Sequence, residues 1–430
     1  SLICLAMRAR LLTFAASDLV NGNPDPEMQA MTNVDGVKIF SATFEANHWK
    51  RAKDANKLLI EEAEKAGHAL YKEYLSDGVA IDPFLSYQNM MMKTYKEGNT
   101  EIIFPRTKDN AGWFDDCALP RGAGGLGSLG VTQLLVDDFF MKDGKMPILG
   151  YNNSGNTQTA IINPETEYSE TGYSTEDDVR ATNWHYAVAG ASASGDSHVV
   201  APKNTFNMYC NREPRFYISV VYNEQYHWGK GKATNFFFNG EDGQPSHDNP
   251  SAGYLIRKHV DPTFVHSTNT GTYKSRQGIL YRLAEAYLSY AESALEYSIA
   301  KGTYNSEKED IVKCINKIRE RAGIPQYGAS GLGIPTEPEE MRKLIRRERR
   351  VEMNCEGGLR WFDLRRWKEA ENVLNGKFYG MNMLAEKDNR DDFYKRVSYQ
   401  TRKFISYWWP IPQDEIDKNP NLKQMPGWMN

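Results

Sequence analysis

The sequence predicts a mostly α-helical protein with helix pairs at both ends of the chain, a long loop-rich region between them and minor β-structure. Small and apolar residues recur at helical spacing before residue 77 and again after residue 278. Between these positions the chain is rich in Gly, Asn, Asp and Ser. Because no long linker of Gly/Ser or Pro character divides the 430 residues, we expect residues 1–430 to form a single domain.

Two helices are predicted in residues 1–76. Residues 3–20 place leucine and alanine at near-helical spacing, and the turn-forming sequence NGNPDPE follows them. Residues 48–74 carry a stripe of mostly small apolar residues: Trp49, Ala52, Ala55, Leu59, Ala63, Ala66 and Leu70. Because alanine lets two helices approach closely, as in tetratricopeptide repeats, we expect a tetratricopeptide-like helix pair here.

Residues 77–278 are predicted to form a loop-rich ligand-binding region. Loops of this length in a compact domain are usually functional, since a rigid scaffold holds them while they present side chains. We expect two regular elements among them, a helix over residues 132–141 and a short strand over residues 216–222.

Helices return in residues 279–430, before a C-terminal segment of different character. Residues 279–299 and 310–322 have helical periodicity, and Gly323 is placed to end the second helix in a left-handed conformation. These two stretches repeat the small-residue pattern of the N-terminal pair. We therefore expect them to form a second helix pair of the same kind.

A charge-rich helix is predicted after residue 335. Thr336 and Glu339 have the spacing of a capping box, and Pro338 suits the first turn. Residues 346–367 read RRERRVEMNCEGGLRWFDLRRW. Three glutamates at i, i+4 spacing lie beside four arginines: Glu348, Glu352 and Glu356 with Arg346, Arg349, Arg350 and Arg360. This pattern predicts a helix that neutralises its own charges before it packs.

The last part of the chain is predicted to be a C-terminal clasp, residues 407–428, with the sequence YWWPIPQDEIDKNPNLKQMPGW. Three prolines at positions 410, 412 and 420 fix the backbone and argue against a helix. Its aromatic and aliphatic side chains should pack over another part of the protein: Trp408, Trp409, Ile411 and Leu422.

The composition excludes several functional classes. A net charge of −4 and a pI near 6.1 argue against nucleic acid as a partner, since phosphate binding needs a basic surface. The five cysteines are an odd number without CxxC spacing, so neither a zinc site nor a disulfide framework is expected. Asp242, Asp248 and Asn249 could bind Ca²⁺, but no regular loop spacing supports a metal site. No metal and no cofactor is therefore predicted.

Five separated segments resemble the SusD/RagB family, the surface glycan-binding lipoproteins of Bacteroidetes nutrient-uptake systems. Residues 132–147 are similar to the family segment TQELVDAFEMKDG, residues 211–223 to RDPRFYATV, and residues 280–294 to LRLAEVYLNYAEA. Residues 346–367 and 407–428 have the form of its C-terminal signature. The resemblance implies a SusD-like fold, binding of oligosaccharide or polysaccharide, and a SusC-like TonB-dependent transporter as partner.

The same resemblance implies a lipid anchor at the outer membrane, exposed on the cell surface. The first residues, SLICLAMRARLLTFAAS, do not suit a signal peptide, because Arg8 and Arg10 interrupt the apolar run. Ile3 occupies a place where a lipidation site needs a small residue. We therefore expect the lipidated cysteine in a segment that precedes this sequence. No stretch reaches the ~20 apolar residues that span a bilayer.

Glycan binding needs flat aromatic faces for the CH faces of sugar rings, with amide or charged groups nearby for the hydroxyls. Residues 110–116 (NAGWFDD) offer Trp113 and Phe114, just before a Gly-rich stretch. Residues 223–243 offer a second set: Tyr226, Trp228, Asn235 and Phe236. Trp184 is a third candidate. The resemblance implies a binding zone here and no motif that assigns a single residue.

Two other classes of function stay open. Aromatic loops and 56 acidic residues also suit a glycoside hydrolase, although acidic residues this abundant do not identify a catalytic pair. No nucleophile elbow, zinc motif or P-loop is present, so we predict no enzyme activity. A helical-repeat module that binds protein or peptide is the other alternative.

Overall fold

The computed structural model of the chain describes residues 1–106, 111–192, 195–264, 276–329 and 331–428. It is 38% helix and 16% strand, with only small sheets. The prediction of a mostly α fold is confirmed. No helix in these ranges is long and apolar enough to span a membrane.

The α-helices of the described residues fall in three groups along the chain. Before residue 77 they are α1 Leu2–Ala16, α2 Pro26–Gln29 and α3 Ala46–Lys65. In the middle region they are α4 Pro83–Met92, α5 Ala111–Ala118, α6 Gln133–Asp138 and α7 Pro214–Ser219. After residue 278 they are α8 Leu283–Lys301, α9 Tyr304–Arg321, α10 Pro338–Glu352, α11 Leu359–Arg366, α12 Ala370–Val373, α13 Arg390–Phe393 and α14 Gln413–Lys418.

The strands form five small antiparallel sheets in the described parts of the chain. Their bounds are β1 Ile102–Arg106, β2 Ile148–Ser154, β3 Thr157–Ile162, β4 Asp178–Ala181, β5 Ser197–Ala201, β6 Val220–Val221, β7 Tyr226–His227, β8 Lys232–Ala233, β9 Leu255–Ile256, β10 Gly278–Arg282, β11 Gly376–Met381 and β12 Arg396–Arg402. The largest sheet has the order β11-β12-β3-β2, and the pairs are β1-β10, β4-β5, β6-β9 and β7-β8. The β1-β10 pair joins the middle region to the helices that follow it.

Helices α1, α3, α8, α9 and α10 pack into a helical scaffold around one hydrophobic cluster. Three alanines of α3 predicted to allow close approach are buried: Ala52, Ala55 and Ala63. A second and larger cluster fills the middle region and includes many aromatic side chains. The middle region therefore has a core of its own and more regular structure than its composition predicts.

Two helix boundaries differ from the predictions. Helix α3 ends at Lys65 because Gly67 takes φ of +88°, and the chain to residue 74 is not helical. Helix α8 begins at Leu283, because residues 278–282 pair with β1 as strand β10. The prediction that Gly323 ends α9 is confirmed. Gly323 has φ of +68° and directly follows Ala322, the C-cap residue of α9.

The prediction of a strand over residues 216–222 is wrong for most of its length. Residues 214–219 form helix α7, with Pro214 at its first position. Every residue of α7 is buried. Because a helix and a strand that are buried on all sides can have the same short apolar run, the sequence pattern does not distinguish between them. Only Val220 and Val221 are extended, and they pair with β9.

The capping box predicted at residue 336 does not form. Helix α10 begins at Pro338, as expected, but its N-cap is Glu337 and no side chain caps it. Glu339 pairs instead with Arg342, one turn further along α10. Residues 132–141 are helical only over Gln133–Asp138, where the Thr132 hydroxyl accepts a bond from the Leu135 N–H at 3.3 Å.

The glutamates of the charge-rich segment pair with arginines from other elements, which corrects the prediction of pairing within one helix. Glu352 accepts hydrogen bonds from Arg215 at 3.1 Å and from Arg282 at 2.7 Å, and it also pairs with Arg321. Glu348 pairs with Arg215 at 2.6 Å. These side chains are fully buried. We name this set, together with Glu101 and Glu356, the arginine–glutamate network.

The C-terminal clasp folds back on itself. The Gln424 side chain accepts a bond from the Ile411 N–H at 2.8 Å and donates to the Ile411 carbonyl at 2.9 Å. Trp408 packs against Phe40, with ring centroids 5.2 Å apart. Contrary to the predictions, the clasp contains helix α14, which follows Pro412, and it leaves Trp409 at the surface.

Candidate functional site

The helix α5 presents Trp113 to solvent. The indole is 62% exposed. Two neighbours fix the helix from its other side. Asp115 is buried and binds the Arg276 guanidinium with bonds of 2.6 and 3.0 Å, and Phe114 meets His259 edge to face at 5.4 Å. A rigid, charge-paired helix therefore holds an exposed aromatic face.

The pKa of Asp115 is raised, because burial of the carboxyl outweighs the opposing effect of Arg276. The buried pair still has two good hydrogen bonds, a geometry that fixes direction as well as position. Trp113 is thus anchored through its neighbour two residues along the helix. Asn110, the first residue of this predicted cluster, lies outside the described residues.

The loop of residues 223–243 lies against the Gly-rich segment that follows α5. The Asp242 carboxylate accepts bonds from the Gly122 N–H at 2.7 Å and the Asn235 N–H at 2.8 Å, and it pairs with Lys230. The Arg121 guanidinium donates to the Glu241 carbonyl at 2.6 Å. The two aromatic sets predicted from the sequence therefore belong to one joined surface, which we name the loop surface: α5, residues 119–130 and residues 223–243.

Trp228 lies on the loop surface and covers a buried arginine. Arg257 is only 4% exposed, and its guanidinium lies 4.6 Å from the Trp228 ring and 4.8 Å from the Trp184 ring. Neither of its terminal nitrogens has a hydrogen-bond partner among the described residues. Burial lowers the pKa of Arg257 to about 9. The guanidinium therefore makes cation–π contacts with both indoles from the interior of the protein.

The other predicted residues are placed differently. Trp184 and Phe236 are fully buried, at 0% exposure, and offer no face to a ligand in this structure. The Trp184 indole N–H donates to the Gln88 side chain at 3.1 Å, which is the bonding of a core residue. Tyr226 and Asn235 are half-buried on the loop surface. Of the candidates, Trp113 is the most exposed.

Sequence reasoning missed the residues that organise this surface. The sequence pattern suggests Asp242 only as a metal ligand and predicts no role for Arg121 or Arg257. The hydrophobic periodicity of the sequence does not predict the roles of these residues, because their partners lie tens of residues or more away along the chain. The sequence also gives no sign of a cavity of about 560 Å³ whose polar lining includes Glu170, Asp391 and Arg396.

Comparison with protein families identifies the chain. The model of the SusD family matches residues 86–428. The chain belongs to the SusD family. All seven predicted site residues lie inside the range that this SusD-family match covers. Comparison with curated proteins gives no match.

Solved structures of other SusD-like proteins have the same fold. The selenomethionine form of BT4246 is 25% identical to this SusD-family chain, with a TM-score of 0.73, and the match covers 100% of this chain and 73% of that one. A SusD-like protein from Bacteroides fragilis is 22% identical, with coverages of 99% and 71% and a TM-score of 0.59. A SusD-like carbohydrate binding protein from Bacteroides fragilis is 20% identical, with coverages of 97% and 70% and a TM-score of 0.58.

Proposed function

We propose that this SusD-family protein binds oligosaccharide or polysaccharide at the cell surface without catalysis and delivers it to a SusC-like TonB-dependent transporter. The observation that carries the proposal is Trp113, an exposed indole on a helix fixed by a buried ion pair. Such a face suits the CH side of a sugar ring, which stacks on aromatic side chains. Tyr226, Trp228 and Asn235 supply further contacts on the same loop surface.

Affinity for a single sugar ring is modest under this proposal. One stacking contact adds ~0.5–1.5 kcal/mol beyond the area that it buries. Useful affinity then depends on several sugar units that contact the loop surface together. The protein therefore prefers chains over monosaccharides, which suits capture of a polymer.

Under this proposal the protein lies at the outer membrane, held by an N-terminal lipid and exposed on the cell surface. Family membership supports this location and the transporter as partner. The helical scaffold offers the face that packs on the transporter barrel, and the loop surface stays open to ligand. Purification of the protein from its native outer membrane tests this step, since a TonB-dependent transporter should accompany it.

The glycan proposal is tested by calorimetry against plant, host and microbial glycans, with reducing ends assayed in the same tubes. The matched variants are Trp113→Ala and Tyr74→Ala, because both remove exposed aromatic side chains, at 62% and 48%, and Tyr74 lies outside the loop surface. We expect one glycan to bind, no new reducing ends, and loss of binding in Trp113→Ala alone. New reducing ends would show a glycoside hydrolase, and a panel without any ligand would favour a peptide.

A further inference from the structure

The C-terminal clasp and α11 enclose a groove of about 400 Å³ that lies apart from the loop surface. We name it the tryptophan groove, after the four indoles that line it: Trp361, Trp408, Trp409 and Trp428. Trp409 is 65% exposed and Trp361 is 38% exposed, and their ring centroids lie 6.3 Å apart at 46°. Exposed aromatic rings at such spacing are typical of ligand sites, because their burial would otherwise stabilise the fold.

A buried arginine forms the floor of the tryptophan groove. Arg365 is 7% exposed, and its guanidinium lies 4.4 Å from the Trp361 ring and 5.6 Å from the Trp409 ring. Its Nε and Nη2 donate to the Tyr407 and Ser406 carbonyls at 3.2 and 2.6 Å. Its Nη1 has no hydrogen-bond partner among the described residues. This nitrogen is itself buried, so Arg365 contributes positive charge beneath the indoles and no donor that is open to a ligand.

The charge of the groove is entirely positive. Arg402 and Lys403 line it beside Arg365, and no aspartate or glutamate belongs to the described residues that line it. Arg402 lies over the Phe378 ring at 4.4 Å, and the Lys403 side chain is exposed. A carboxylate that enters the groove would meet several cations and no aspartate or glutamate among the described lining residues.

We propose that the tryptophan groove is a second saccharide site, selective for an acidic pyranose such as a hexuronate. Trp409 and Trp361 contact the CH faces of the sugar ring, and its carboxylate accepts hydrogen bonds from the exposed Lys403 and Arg402. The site is distinct from the loop surface, so it goes beyond the proposed function. It gives the protein a preference for polymers that carry uronic acid units.

Calorimetric titration with trigalacturonic acid tests the proposal, with neutral galactotriose as the matched ligand. The variants are Trp409→Ala and Lys403→Ala, both on the surface. The control is Tyr74→Ala, which removes a 48% exposed aromatic side chain that belongs to neither the tryptophan groove nor the loop surface. Trp113→Ala is titrated as well, to test whether the acidic trimer binds at the loop surface instead. We expect the acidic trimer to bind more tightly than the neutral one, and added salt to weaken it. Its Kd should rise about tenfold in Trp409→Ala and several-fold in Lys403→Ala, and stay unchanged in the control.

Three results would overturn the proposal of a second saccharide site. The first is equal binding of both trimers, which would remove the role of charge. The second is unchanged binding in Trp409→Ala and Lys403→Ala, or no binding at all. The third is loss of binding in Trp113→Ala alone, which would assign the acidic sugar to the loop surface and leave the proposed function intact. Circular dichroism of each variant separates these outcomes from misfolding.

Discussion

Arg282, the last residue of β10, donates a hydrogen bond of 2.7 Å to Glu352 at the end of α10, and neither side chain is exposed. The same guanidinium reaches Glu101 at 2.6 Å and Glu356 at 2.7 Å. Arg215 of α7 reaches Glu352 from the middle region. The arginine–glutamate network therefore ties the helical scaffold to the region that carries the loop surface.

Removal of Arg282 should strongly destabilise the protein. Arg282→Met removes one cation from beside three buried carboxylates: Glu101, Glu352 and Glu356. Loss of one partner of a buried ion pair lowers the free energy of unfolding by about 3–5 kcal/mol. Urea unfolding measures this change. Arg350→Met is the matched control, because Arg350 makes only a partly exposed contact of 3.4 Å with Asp138. We expect it to cost less than about 1 kcal/mol; equal losses would contradict a central role for Arg282.

Stability should fall in acid below the ordinary glutamate pKa of 4.5. Burial alone would raise the pKa of Glu352, but Arg321, Arg282 and Arg215 outweigh it and hold the pKa well below that value. A carboxyl with a lowered pKa in the folded state stabilises the protein above its unfolded pKa, and this stability is lost as the pH falls towards the folded pKa. Glu213 acts in the opposite direction, since burial raises its pKa.

Urea midpoints recorded between about pH 7 and about pH 3 check the acid prediction. We expect a plateau above pH 4.5 and a progressive loss below it. Glu352→Gln should be less stable at neutral pH and lose less on acidification. A wild-type midpoint that stays level or rises below pH 4.5 would show that Glu352 does not dominate.

Trp228 and Trp113 should differ in their effect on the free energy of unfolding. Trp228→Ala uncovers the buried guanidinium of Arg257 and removes packing, so we expect a loss of roughly 3 kcal/mol. Trp113→Ala changes an exposed side chain, and its effect should stay within about 0.5 kcal/mol. Thermal unfolding of the two variants distinguishes them. Similar losses would mean that Trp113 contributes to packing, and it would then be a poor reporter of ligand contact.

Asp242 should hold the two parts of the loop surface together. In Asp242→Asn the buried Lys230 loses its closest anionic partner, and the bond from the Gly122 N–H weakens. We expect faster amide hydrogen exchange in residues 119–126 and 230–243, measured by mass spectrometry. Asp248→Asn is the control, because that side chain is partly exposed. Exchange that rises equally in both variants would argue against a specific role for Asp242.

The sequence by itself determined the elements whose contacts are local or periodic. The alanine stripe of α3, the apolar spacing of α8 and the glycine that ends α9 follow from helical geometry and from glycine's freedom at positive φ. It also carried the segments that resemble the SusD/RagB family. Trp113 could be chosen as a candidate because an indole beside amide and acidic residues offers a flat aromatic face for a sugar ring.

Only the tertiary structure decided which charges pair and which aromatic faces reach solvent. Residues 278–282 became a strand because β1 lies beside them, and the glutamates of α10 found arginines on other elements. Trp184 and Phe236 are core residues here, whereas Trp113 and Trp409 are exposed. Burial and pairing depend on neighbours that are 70 or 137 residues away in these two glutamate–arginine pairs, and a periodic pattern contains no information about them.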